Sequence, residues 1–93
     1  LDEITWTLLT AIHEGRLILS LRTDQKSLHA GEVMRKLVRK LGEGGGHRNK
    51  AGGFVTLETT DAKCVDRVHA TLRRRLVKLL GLPGDSSFGP LMK

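Results

Sequence analysis

Ninety-three residues, 39% hydrophobic and 28% charged, suffice for one small domain with one modest core and are too apolar for a disordered tail. Only Trp6, Phe54 and Phe88 are aromatic, which argues against a single-strand binder built on stacked rings, and no apolar run approaches the roughly 20 residues of a membrane span. Lys plus Arg outnumber Asp plus Glu by 16 to 10, a balance that suits an anionic partner such as nucleic acid or a nucleotide and equally serves solubility.

The opening "LDEITWT" has neither a basic start nor an apolar core, so no signal peptide is expected. Lacking an initiator methionine, the chain is expected to be a piece of a longer protein. A lone Cys64 cannot form an internal disulfide, which makes the cytoplasm the expected compartment.

In chain order, "ITWTLLTAI" from Ile4 to Ile12 is rich in threonine and branched residues and reads as a strand. "HEG" at His13 to Gly15 makes a tight turn. "RLILSLRT" from Arg16 to Thr23 alternates: Leu17, Leu19 and Leu21 face one way, Ile18, Ser20 and Arg22 the other. Ser27 is placed to cap a helix from about Leu28 to Leu41, whose apolar positions recur at three- and four-residue spacing, with Gly42 as its stop. A third strand is expected from Gly53 to Thr60. Thr60 or Asp61 then caps a second amphipathic helix, Ala62 to Leu80, closed by Gly81.

The expected architecture is therefore α/β (α+β): a small mixed sheet with two amphipathic helices on one face, in the order β-β-α-β-α. Residues 1–81 form the domain, and residues 82–93, "LPGDSSFGPLMK", form a turn-rich tail in which Phe88, Leu91 and Met92 either dock or fray.

Between the first helix and the third strand lies "GEGGGHRNKAGG", with six glycines in twelve residues. It matches neither a triphosphate-binding loop, because Lys50 is followed by alanine, nor the dinucleotide fingerprint, because it follows a helix. One reading is a flexible connector. The other is a concave row of backbone N–H groups at Gly44, Gly45 and Gly46 that holds an anion, with His47 and Arg48 adding donors or charge, and Asn49 and Lys50 in reach. Arg22 has two readings as well: a strand-end arginine in solvent, or a phosphate clamp assisted by the Ser20 hydroxyl on the same face.

"SLRT" on a strand, an amphipathic helix and then "GGGHRNKAGGF" leading into another strand resemble the C-terminal, DHH-associated domain (first type) of DHH-family phosphoesterases. That family carries an S-x-R strand and a GGGH-x-x-A-A-G segment in this order, and the match runs from about Ile4 to Leu80. The resemblance implies a substrate-binding domain that holds phosphate for a separate N-terminal catalytic domain bearing manganese on aspartates and histidines. Members include single-strand exonucleases, oligoribonucleases and nucleotide phosphatases. It assigns Arg22, Gly44, Gly45, Gly46 and His47 to substrate phosphate, with Ser20, Arg48, Asn49 and Lys50 as additional candidates. Lys50 stands where the pattern has its first alanine, which leaves the subfamily open.

No catalytic residue and no metal site are expected in this chain. Its aspartates, Asp2, Asp24, Asp61, Asp66 and Asp85, are scattered, no two histidines lie at ligand spacing, and Asp-His-His does not occur. His13, His29 and His69 read as structural, and Cys64 as a small core residue. Arg73, Arg74 and Arg75 spread around the second helix, either as a solvated face or as a nucleic-acid track with steep salt dependence. The expected partners are a nucleotide or short single strand and the N-terminal domain of the same polypeptide, with a second copy of the chain as a further candidate and no membrane. The alternative function is an RNA-binding module of a tRNA-synthetase-like protein. The substrate is open among RNA, DNA, a small nucleotide and polyphosphate.

Overall fold

A computed structural model of the chain describes residues 6–24 and 28–81. Ser27, the expected helix cap, and the expected 82–93 tail lie outside the described residues. Six elements follow one another: β1 (Trp6–His13), β2 (Arg16–Thr23), α1 (Ala30–Leu37), β3 (Gly42–Gly46), β4 (Lys50–Thr56) and α2 (Ala62–Leu80). The strands form one sheet in the order β1-β2-β4-β3. This is the expected α+β class, and the five expected elements occur in the expected order. The glycine segment adds a strand of its own, and all three pairings are antiparallel, so the sheet is not mixed.

The β1–β2 turn shows how local sequence sets register. Glu14 (φ 50°) and Gly15 (φ 77°) both take left-handed backbone, the geometry of a two-residue hairpin turn that matches strand twist. With that turn fixed, Thr7 must lie opposite Arg22 and Leu9 opposite Ser20. The period of two then sorts β2: Leu17, Leu19 and Leu21 are buried, while Arg16, Ile18, Ser20 and Arg22 are exposed. Each leucine removed from water contributes about 1.5–3 kcal/mol, which outweighs any local preference of the exposed row.

Both helices cover the leucine face. Met34, Leu37 and Val38 from the α1 region and Leu72 and Leu76 from α2 complete the core with Leu8 and Val55. Cys64 is buried among them, and His69 Nε2 lies 3.3 Å from Thr10 Oγ1, tying α2 to β1. The opposite face of the sheet carries no described element.

α1 stops four residues short of the expected Leu41. Lys40 adopts left-handed backbone (φ 64°), and the N–H groups of Leu41 and Gly42 both donate to Val38 O at 2.9 Å. The chain is thereby turned into β3. The carbonyls left open at the helix end, Leu37 O and Arg39 O, accept from the Arg75 guanidinium at 2.9 and 2.8 Å. At the other end the cap is His29, whose Nδ1 accepts from Glu32 N at 3.3 Å.

α2 keeps its expected limits. Asp61 Oδ1 accepts from Cys64 N at 2.9 Å, and Gly81 ends the helix in left-handed backbone (φ 68°). That backbone hydrogen bond first, and then one with Thr59, hold the Asp61 carboxyl below its ordinary range. Neither described helix is long and apolar enough to cross a membrane.

Candidate functional site

The segment read as a loop is a hairpin. Gly42–Gly46 is extended and pairs with β4, so its N–H groups alternate in direction and do not curl into one concave row. Strand alternation splits the run between two faces. Gly44 lies under α1, where a Cβ would come 2.7 Å from Met34 Cγ; Gly53, its partner on β4, lies 3.0 Å from Met34 Sδ by the same measure. Gly45 and its partner Gly52 lie on the open face, where an added Cβ at Gly45 would meet nothing within 4 Å. The helix-side glycines let Met34 sink onto the backbone, and the open-side pair leaves a strip of bare main chain.

The hairpin loop His47–Asn49 is held from two sides. Ala30 N donates to Arg48 O and Gly31 N to His47 O, both at 2.9 Å, so the loop carbonyls satisfy two of the four orphan N–H groups at the start of α1. On the sheet side, Thr23 N donates to Asn49 O at 2.9 Å and Asn49 Nδ2 donates to Thr23 O at 3.3 Å. His47 N closes the hairpin on Lys50 O at 2.8 Å. Asn49, a candidate ligand donor by sequence, thus spends a side-chain N–H on architecture.

Register brings the basic residues together. Arg22 on β2 and Lys50 on β4 are direct partners, and Ser20 pairs with Gly52 one step along the same face. Directly opposed side chains on an antiparallel pair have Cβ atoms about 4.5–5.5 Å apart. With Gly46 and His47 they line a shallow depression of about 250 Å³. Arg22 and Lys50 also border a second one of about 320 Å³ with Thr7, Asp24 and Asn49. Among the described residues neither Arg22 nor Lys50 makes a salt bridge. Two adjacent exposed cations beside bare backbone can receive an anion without first breaking an ion pair.

The candidates therefore divide. Arg22, Ser20, Gly46, His47 and Lys50 meet in one depression, Gly45 lies beside it on the open face, and Gly44 lies on the helix side. Arg48 is exposed and contributes its carbonyl to α1. Thr7 and Gly52 were not singled out as site residues by sequence. The signal for Thr7 was available, because a turn centred on Glu14 and Gly15 places it opposite Arg22. Farther along the open face, the Arg16 guanidinium sits 4.4 Å from the centre of the Phe54 ring. No group of three or more His, Cys, Asp or Glu side chains placed to hold a metal occurs among the described residues.

Comparison with curated proteins returns no match. The family model described as the DHHA1 domain matches residues 2–78, most of the chain. With the strand arginine, the glycine run and its histidine all inside that match, the chain belongs to the DHHA1 family, the DHH-associated domain of DHH-family phosphoesterases.

Proposed function

We propose that the open face of this sheet binds the phosphate of a nucleotide or short single strand and presents it to a catalytic domain of the same polypeptide. The observation that carries this reading is the Arg22–Lys50 pair: two exposed cations in direct register, with no salt bridge among the described residues, next to Ser20, His47 and the backbone of Gly46 and Gly52. The arginine fork takes two phosphate oxygens, the lysine adds a point charge, and the serine hydroxyl and imidazole N–H supply directional donors. Lys50, which departs from the family pattern, strengthens the anion site in this chain by adding a cation that alanine lacks.

In this reading the domain's contribution to catalysis is placement. Holding the phosphoryl group against fixed donors removes the entropy of orienting it and offsets its charge. A divalent metal, expected as manganese, would belong to the catalytic domain and would activate the attacking water there. Exonuclease, oligoribonuclease and phosphatase activities all fit a phosphate held this way.

Calorimetric titration of the full chain with inorganic phosphate and with adenosine monophosphate tests the reading. Arg22→Ala is expected to weaken binding by about 1–3 kcal/mol and Lys50→Ala by a similar or smaller amount. Binding that is unaffected by either substitution would refute it.

A further inference from the structure

The described surface carries a second basic feature, on the helix side of the sheet and remote from Arg22 and Lys50. On α2, Thr71, Arg74, Arg75 and Lys78 recur at spacings of three and four and so share one side of the helix. Asp66, the acid within α2, lies on a different side by the same spacing. This stripe meets Lys36, Arg39 and Lys40 at the C-terminal end of α1. The two parts form adjoining depressions of about 440 and 460 Å³ that share Arg75 and Lys78, and among the described residues no acidic side chain lines either one. Of Arg73, Arg74 and Arg75, which the sequence reads as a solvated face or a nucleic-acid track, Arg75 turns inward to the α1 carbonyls and fixes a positive charge at the junction of the two helices.

We propose that this groove binds the sugar-phosphate backbone of a nucleic-acid strand without regard to sequence. A run of like charges with no carboxylate interleaved repels itself, and a polyanion offsets that repulsion while releasing its own counterions. Arginine forks match phosphate oxygens in pairs. Among the described residues that line it there is no aromatic ring to stack a base, so what they offer a strand is charge for its backbone. An acidic peptide fits less well, because the groove offers neither a strand edge nor deep apolar pockets to set a peptide's register.

The test is fluorescence anisotropy of the full chain with labelled single-stranded oligonucleotides of roughly 12 nucleotides in two unrelated sequences. Both should bind alike, with affinity falling steeply as salt rises. The double substitution Lys36→Glu with Arg74→Glu should weaken binding at least about tenfold and lower the salt slope by roughly 0.7 for each phosphate no longer neutralised. A milder pair, Arg74→Gln with Lys78→Gln, should shift binding in the same direction with the circular dichroism spectrum unchanged. Arg22→Ala should leave most of the oligonucleotide affinity in place. Three results would overturn the proposal: affinity insensitive to both groove variants, binding lost with Arg22→Ala alone, or displacement by polyglutamate as effective as by unlabelled oligonucleotide.

Discussion

Gly31, in the first turn of α1, rests backbone to backbone on Gly46 at the end of β3: a Cβ built on Gly31 would lie 2.5 Å from Gly46 O. This contact seats the start of the helix on the hairpin and aligns Ala30 N and Gly31 N with the loop carbonyls. Gly31→Ala must therefore push the helix off the loop. A loss of about 1–3 kcal/mol is expected in urea denaturation, the usual range for overpacking where backbone cannot yield. The same change should weaken phosphate binding, because His47 rides on the displaced loop.

Gly44 and Gly45 are neighbours with opposite surroundings, so the same substitution should give different results. Gly44→Ala drives a methyl into Met34 and should destabilise by about 1–3 kcal/mol. Gly45→Ala enters open space and should stay within about 0.5 kcal/mol of wild type. Equal losses in chemical denaturation would contradict the alternation of β3.

Asn49 fastens the loop to β2 through Thr23 O. Asn49→Ala should reduce stability by about 0.5–1.5 kcal/mol, one intramolecular hydrogen bond. Faster amide exchange at Thr23 and His47, read by NMR, would locate the loss.

Arg75 joins the helices by donating to two carbonyls at the end of α1. Arg75→Ala leaves those carbonyls to water and removes a cation from the negative end of the helix. About 1–2 kcal/mol should be lost, and Arg75→Lys should recover only part of it, because the lysine nitrogen sits one bond nearer the main chain than the Nη1 that makes both contacts.

The Asp61 cap makes stability depend on pH. Its carboxyl pKa is depressed in the folded chain, chiefly by the Cys64 N–H, so the ionised form stabilises α2. That contribution is present above the unfolded aspartate pKa, about 3.9, and is lost as pH falls through the lower folded value. The Tm of Asp61→Asn should therefore lie below that of wild type at neutral pH, and the gap should narrow as the solution is acidified below pH about 4. A gap that is constant with pH would show that the cap acts without its charge.

Residue patterns within single elements were readable from the chain alone. Alternation in "RLILSLRT" determined which face of β2 is buried, and the three- and four-residue spacing of α2 determined its limits and its buried side. These signals are local: one period and one cap suffice. Paired with "SLRT", the "GGGH" segment also pointed to the family that the match over residues 2–78 establishes.

The glycine segment's conformation could not be read in the same way. Glycine has low strand preference, and nothing within Gly42–Gly46 announces a partner strand; the partner is β4, and the reason for glycine is Met34 and Gly31 on a helix earlier in the chain. The early end of α1 likewise depends on Arg75, 38 residues beyond Leu37.

What the sequence determined by itself was five of the six described elements, their buried faces and the family, because those follow from periodicity and motif order along the chain. Tertiary structure alone decided which candidates share a site. The pairing of β2 with β4 placed Lys50 beside Arg22, and that of β3 with β4 turned Gly44 toward the helix, since a strand's register assigns every position to one face or the other.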